Sequence, residues 1–261
     1  MAIEQDDAML PRAILFDLDD TLIHAYQAAE AAWLVVATEL ADELVPLTPI
    51  EVAVAVSAAA QKFWADPVRH RLWRVRLRDA RRRIVAEAFA GLAGRRSRLP
   101  PSRVVERLAD MFSSYREEQM HLFPDAHAVI DALKSRGTRL ALVTNGAAEA
   151  QRAKIKRFDL ARRFDHIQIE GEHEFGKPDE RAYLHALHQL GVDAQDAWMV
   201  GDNLEWEVAA PQRLGIFAIW FDGAAKGLPQ DTLITPDRII ASLSELLQMK
   251  EMDGQAETDE R

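Results

Sequence analysis

The sequence predicts an α/β protein: a doubly wound, Rossmann-like parallel sheet with a helical bundle inserted after its first strand. Three observations carry this prediction. Short runs that read as strands recur at 13–16, 139–143, 166–170, 197–200 and 216–220, most of them apolar, and from the second run onward each is followed by a stretch of helical spacing. Between the first and second runs lies a long block, from about His24 to His121, rich in Ala, Leu, Val, Arg and Glu at helical spacing throughout. The first run, Ala13-Ile14-Leu15-Phe16, passes straight into Asp17-Leu18-Asp19-Asp20. A buried strand does not ordinarily end in three carboxylates, and open α/β sheets bind ligands beyond the carboxyl ends of their strands.

Taken in order, strand 13–16 opens the sheet. Helices are expected at about 25–43, 49–64, 68–91 and 101–118, broken by Pro46-Leu47-Thr48-Pro49, by Asp66-Pro67 and by the segment from Gly91 to Pro101. Thr48 and Ser102 have N-cap chemistry, and Pro49 suits a first helical turn. A helix at about 125–136 stops at Gly137, and strand 139–143 follows. Then come helix 147–158, strand 166–170, helix 179–190, strand 197–200, helix 205–214, strand 216–220 and a last helix at 241–249. The first strand most simply joins this sheet, so 1–23 and 122–249 form the core domain and 24–121 a helical domain. Hinges fall near His24 to Gln27 and near Gln119 to Pro124. The polar tail 250–261 is expected to be disordered.

The chain has 261 residues, enough for one large or two modest cores, and a net charge of −10. That charge suggests no general affinity for nucleic acid or anionic membrane. The absence of cysteine excludes disulfides and thiolate metal sites. The opening MAIEQDDAML does not read as a signal peptide, and no apolar stretch reaches membrane-spanning length. A cytoplasmic protein is expected. Composition leaves monomer and homodimer equally open.

The strand ends carry the chemistry. If extended geometry persists past Phe16, the period of two puts Asp17 and Asp19 on one side. Such a pair suits an oxygen-seeking cation such as magnesium, or a nucleophile beside a general acid/base. The second strand ends in Thr144-Asn145-Gly146, the fourth in Gly201-Asp202-Asn203, and Gly176-Lys177-Pro178-Asp179 precedes a helix. Each has a plain structural reading: an acidic turn, an Asn-Gly turn, a helix cap at Asp202, a solvated lysine. Together, in this order and at predicted strand ends, they converge on a phosphate site.

The set resembles the haloacid dehalogenase superfamily, mainly magnesium-dependent phosphohydrolases. Asp17-Leu18-Asp19-Asp20-Thr21-Leu22 is similar to its first motif, Thr144-Asn145-Gly146 to its second, Lys177 to its third and Gly201-Asp202-Asn203 to its fourth. The resemblance implies roles for each. Asp17 is the expected nucleophile, forming an aspartyl-phosphate, and Asp19 the general acid/base. Thr144 (hydroxyl) and Asn145 (backbone amide) would hold phosphoryl oxygens, and Lys177 would neutralise their charge. Mg2+ would be held by the Asp17 carboxylate, the Asp19 backbone carbonyl and the Asp202 carboxylate. The family commonly has a further aspartate five residues after the metal aspartate. Here that position is Glu207, expected to orient metal-bound water or Lys177, with Glu205 nearby able to share the role.

Asp19 favours phosphoryl transfer to a small phosphorylated metabolite, since dehalogenases of this superfamily usually lack that second aspartate. A phosphosugar mutase, a 2-haloacid dehalogenase and a non-catalytic phosphate-binding relative remain as alternatives. The helical insertion resembles the family's cap, which closes over small substrates. Its run from Arg69 to Arg83 places Leu72, Trp73, Leu77, Ala80 and Ile84 on one helical face, with arginines mostly on the others. That reads as a solvated face, or as one or two arginines turned toward an anionic substrate group. Phe63, Trp64 and Trp73 read as cap core before a stacking platform for a nucleotide substrate, and His24 as a hinge residue before one that touches substrate.

Overall fold

The computed structural model describes residues 10–26, 28–93 and 99–249. Its centre is strand β1 (Ala13–Phe16), apolar at every position and buried at every position. A strand buried on both faces reads as a continuous apolar run rather than an alternating one. β1 pairs in parallel with β4 (Arg139–Thr144) on one side and β6 (Ala197–Gly201) on the other, Phe16 standing opposite Leu142 and Val200. β5 (His166–Ile169) continues the sheet beyond β4, and β7 (Phe217–Phe221) and β8 (Arg238–Ile240) continue it beyond β6. All pairs are parallel, in the order β5-β4-β1-β6-β7-β8. The chain thus runs outward from β1 in both directions, which opens a crevice at the carboxyl ends of the central strands.

Alternation along β1 feeds two cores. Ile14 and Phe16 pack with Leu140, Leu142, Ile130 and Leu133 of α7 (Ala126–Ser135), and with Leu243 and Leu246. Ala13 and Leu15 pack with Met199 and with Tyr183, Ala186 and Leu187 of α9 (Glu180–Leu190). Helices therefore cover both faces, as the doubly wound prediction requires.

Between β1 and β4 the chain leaves and returns through a two-stranded antiparallel ribbon, β2 (Ile23–His24) against β3 (His121–Leu122). His24 stacks there on Phe123 and His121, with ring centroids 3.6 and 4.5 Å away. The intervening helices are α1 (Ala29–Glu39), α2 (Ala41–Leu44), α3 (Pro49–Ala65), α4 (Pro67–Trp73), α5 (Leu77–Ala93) and α6 (Ser102–Gln119). They bury a cluster of their own, including Trp33, Val36, Val52, Phe63, Ile84, Leu108 and Phe112. Each such side chain contributes about 1.5–3 kcal/mol by burial. Phe63 packs edge-on to Trp64 and Trp73, as core rather than as an open platform. Thr48 caps α3 in a reciprocal box with Glu51.

Several expectations need correction. Ser102 is the first residue of α6, not its cap; Pro101 occupies the cap position and offers no hydroxyl. The single helix expected over 68–91 breaks after Trp73 into a tight 3₁₀ turn, Arg74–Arg76, before α5 begins. The break rotates the apolar stripe, so Leu72 is exposed while Ala80 and Ile84 stay buried. The helix expected over 205–214 opens as a π-helix, Leu204–Ala209, before a short α10 (Ala210–Gln212). The last helix is a 3₁₀ stretch, Leu243–Gln248. β8 was not expected: three residues carry too little periodicity to read. Residue 27 of the first hinge, 94–98 in the last helical break, 1–9 and the tail 250–261 lie outside the described residues.

Candidate active site

The expected site residues meet at the carboxyl ends of β1, β4 and β6. Asp17 follows β1 directly, and its N–H donates to the Val200 carbonyl at 3.0 Å. The strand proper has ended at Phe16. Leu22 and Ile23 both return their N–H groups to the Leu18 carbonyl at 3.0 Å, curling the chain into a turn. Asp20 takes a left-handed conformation (φ 60°), and its carboxylate accepts from the N–H groups of Ala25 at 2.8 Å and Tyr26 at 3.1 Å. Asp19 forms an isolated bridge with Ile23, and Asp17 and Asp19 each have their own lysine.

Asp17 faces Lys177. The Lys177 ammonium, with no measurable exposure, donates to Asp17 Oδ1 at 2.5 Å and to Glu207 Oε1 at 2.8 Å. Thr21 donates its hydroxyl to Asp17 Oδ2 at 3.2 Å. Burial pulls the Lys177 pKa down, but the charges of Asp17 and Glu207 outweigh it and leave the ammonium at about 12. Burial pushes the Asp17 carboxyl above its ordinary value against the pull of Lys177. Glu207 is pushed up to about 7 by burial, again with Lys177 opposing.

Glu207 reaches this position by way of the π-helix and of Gly201. A Cβ on residue 201 would stand 2.0 Å from Glu207 Cγ, so only glycine lets this side chain pass. Its second oxygen, Oε2, accepts from Asn203 N–H at 2.8 Å. π-turns of this kind concentrate at functional sites. Glu205, by contrast, lies on the surface 3.6 Å from Arg213 and takes no part. Nor is Asp202 the helix cap: Asn203 accepts from Glu205 and Trp206 N–H at 3.1 and 3.0 Å. That leaves the Asp202 carboxylate partly buried with no hydrogen-bond donor among the described residues, while its carbonyl is pinned by Trp220 Nε1 at 2.7 Å. Burial and the charges of Glu207, Asp17 and Asp20 push the Asp202 carboxyl up to about 9.

These features test the fit of a divalent cation. Among the described residues no three His, Asp or Glu side chains form a ready-made cage. Magnesium, however, keeps several waters and takes only one or two carboxylates. Asp17, buried, and Asp202, partly buried and without a donor among the described residues, are carboxylates that repel one another and meet that requirement. The residues fit the ion.

Asp19 has unexpected company. Lys154 of α8 (Ala148–Arg157) donates to both of its oxygens at 2.7 Å, and Gln151 donates to Oδ2 at 3.0 Å. Gln151 also donates to Thr144 Oγ1 at 2.6 Å and to the Asn145 carbonyl at 2.9 Å. Thr144 is buried at the end of β4, as expected, with Gln151 on its hydroxyl. The Asn145 side chain has a role the sequence did not suggest. It accepts from Lys177 N–H at 2.9 Å and donates to the Lys177 carbonyl at 2.8 Å, fixing the loop that presents the lysine. Gly176 beside it leaves room, since a Cβ there would stand 2.6 Å from Asn145 Oδ1. Gln151 and Lys154 lie three residues apart on one helical face, the one sequence sign that they act together.

The helical unit touches the site through Arg74, which donates to Glu170 Oε1 from Nε at 2.9 Å and from Nη2 at 2.5 Å. Glu170 Oε2 in turn accepts from Gly146 N–H at 3.0 Å. Arg74 also covers the Trp206 ring at 5.2 Å, and His70 meets the same ring edge-on.

Residues 11–215 match the family model described as haloacid dehalogenase-like hydrolase. A phosphoserine phosphatase from Thermus thermophilus is 35% identical over 184 residues, covering 70% of this chain and 65% of that protein, so the match spans just under two thirds of that relative. An N-acylneuraminate-9-phosphatase from Rattus norvegicus is 28% identical over 236 residues, covering 90% of this chain and 92% of its own. A HAD-hydrolase structure from Bacillus subtilis, bound to magnesium, superposes with a TM-score of 0.67 at 23% identity, covering 94% of this chain and all of that one, which shows the shared fold. No helix among the described residues is long and apolar enough to cross a membrane. The chain is an enzyme that belongs to the haloacid dehalogenase-like hydrolases.

Proposed function

We propose that this protein is a magnesium-dependent phosphatase that hydrolyses a small phosphorylated metabolite through an aspartyl-phosphate on Asp17. The observation that carries the reading is the buried Lys177 ammonium shared by Asp17 and Glu207 at the carboxyl end of β1, with the Asp202 carboxylate alongside and without a donor among the described residues. Lys177 fixes the attacking carboxylate and offsets the negative charge of a phosphoryl group brought to it. Asp17, Asp202 and the Asp19 carbonyl would hold magnesium, which when bound supplies the positive charge that lets a carboxylate and a phosphate dianion approach.

The chain's own residues account for the rest. A carboxylate oxygen of Asp17 attacks phosphorus while the bond from phosphorus to the leaving oxygen breaks, and Asp19 gives that oxygen its proton. Water then attacks phosphorus, Asp19 takes a proton from it, and the bond to Asp17 breaks to return the free carboxylate. Lys154 and Gln151 occupy both Asp19 oxygens. A leaving-group oxygen therefore reaches Asp19 only as that contact opens. Thr144 and the Asn145 amide line the phosphoryl site. In the same reading, 1–23 and 122–249 form the catalytic core and 24–121 a cap, with Arg74 on Glu170 joining the two. Asp19 also sets this reading above a dehalogenase, which expels halide and needs no proton donor for the leaving group.

The test is turnover of p-nitrophenyl phosphate with and without magnesium, in the parent and in Asp17→Asn. Turnover that requires magnesium and vanishes in the variant supports the reading. Halide release from a 2-haloacid without metal, or turnover that survives Asp17→Asn, overturns it.

A further inference from the structure

In the arginine-rich stretch of the helical unit Arg71 and Arg76 are exposed, and the other arginines fall into three kinds. Arg69 and Arg83 pair with Glu87, Arg78 with Glu117 and Arg82 with Asp110, all at the surface and all between 2.8 and 3.1 Å. Arg74 is partly buried and paired with Glu170. Arg81 is different. It is only 6% exposed, yet no carboxylate, carbonyl or hydroxyl among the described residues accepts a hydrogen bond from it. Its guanidinium lies against the Phe112 ring at 5.3 Å.

Among the described residues, the carboxylate whose charge reaches it, Glu117, is already paired. Arg116, also buried, donates to the Ala25 carbonyl at 2.6 Å and adds positive charge. The Glu117 carboxylate is committed to Arg78 at 2.9 Å. Burial lowers the Arg81 pKa, and the group whose charge bears on it most is the Tyr26 hydroxyl. That hydroxyl stands 3.5 Å from Asp19 Oδ2, so Arg81 lies on the cap side of the catalytic carboxylates. Guanidinium stays protonated at neutral pH. An enclosed charge without an anionic partner is costly, and Arg74, only partly buried, already has Glu170.

We propose that Arg81 is the receptor for a second anionic group, a carboxylate or a second phosphate, on the organic part of the phosphorylated substrate. Its planar fork of donors matches either group two-pronged. The inference rests on the phosphatase reading above and narrows it: the substrate is a phosphomonoester with an acid at its far end. Tyr26 and Arg116 line the approach.

The experiment compares kcat/KM within matched sets: ethyl phosphate with phosphoglycolate, glycerol 3-phosphate with 3-phosphoglycerate, and fructose 6-phosphate with fructose 1,6-bisphosphate. The quantity read is the preference for the acidic member over its uncharged partner, in the parent, Arg81→Met and Arg81→Lys. At least one set should show a preference of about tenfold to a hundredfold in the parent, the scale of a charge-assisted hydrogen-bonded pair. That preference should fall at least about tenfold in Arg81→Met and partway in Arg81→Lys, which keeps charge but loses the fork. The carboxylate and bisphosphate sets tell the two acids apart. Arg81→Met should melt no lower than the parent, because it removes an unpaired buried charge. If it fails to fold, the Arg81→Lys preference alone decides.

The absence of any acid preference in the parent, a preference unchanged in the variants, or equal losses on both members of every set overturns the proposal. Should the parent hydrolyse no ester, the phosphatase reading fails separately. Arg81 is then judged by calorimetric binding of the same pairs to Asp17→Asn and to Asp17→Asn/Arg81→Met. Tighter binding of an acidic member that is lost with Arg81 supports the receptor, and equal binding overturns it.

Discussion

Replacing Lys177 with methionine removes one buried charge and strands two others. Asp17 Oδ1 and Glu207 Oε1 both lie on its ammonium, at 2.5 and 2.8 Å, so they stand no more than about 5.3 Å apart. Two full charges at that separation repel by about 3 kcal/mol at an effective dielectric constant of about 20. Removing one partner of a buried ion pair costs about 3–5 kcal/mol, the same range. Glu207 gives the molecule an escape. Its carboxyl is already pushed up to about 7 by burial, and taking a proton ends the repulsion. Loss of Lys177 raises it further above its unfolded value of about 4.3. A group whose folded value is raised in this way binds its proton more tightly in the folded state, so the variant loses stability as pH rises through that window. Lys177→Met should therefore be less stable than the parent by about 3 kcal/mol at about pH 8.5 and by only about 1 kcal/mol at about pH 6. Urea unfolding followed by tryptophan fluorescence, in chelator at both pH values, measures this. Adding Glu207→Gln, which keeps an acceptor for Asn203 N–H, should recover most of the loss at the higher pH. An equal penalty at both pH values, or a double variant as unstable as the single one, would refute the shared-ammonium account.

Two further outcomes follow from packing and titration. Gly201→Ala puts a Cβ 2.0 Å from Glu207 Cγ, so thermal unfolding should show a loss of about 1–3 kcal/mol together with lost turnover. Gly91→Ala, where the new Cβ meets nothing, should be neutral or slightly stabilising. His166 and His185 have ring centroids 5.5 Å apart, and burial, then neighbouring histidines, lowers both pKa values. Groups lowered in this way favour the folded state when neutral, so stability is complete above about pH 6.5 and declines as pH falls below it. The urea midpoint should fall between about pH 7 and pH 5, and less steeply in His166→Phe.

The parts of the site legible in sequence were those where chemistry contradicted its local setting. Carboxylates closing an apolar strand, as at Asp17, and a Thr-Asn-Gly end to β4 announce themselves because a plain strand has no use for them. Lys177 was legible only through its company. Lys154 was not: it sits in a polar helix and reads as one more surface lysine until the fold brings α8 against Asp19. Arg81 was equally hidden, since one enclosed arginine is indistinguishable from its exposed neighbours until α5 and α6 pack. The π-helix after Asn203 leaves no mark in local propensity. It arises where Glu207 must reach Lys177 past Gly201, a tertiary demand that overrides local preference. The same logic explains Asp202: Asn203, one residue on, takes the capping role and leaves that carboxylate for a ligand.

The most direct measurement is the phosphorylation state of Asp17 during turnover. Acid-quenching the enzyme with a phosphomonoester and magnesium, then mapping peptides by mass spectrometry, should find one phosphoryl group on the Asp17 peptide, labile to hydroxylamine and absent in Asp17→Asn. Its absence during measurable phosphate release, or its appearance on any other residue, would contradict the account.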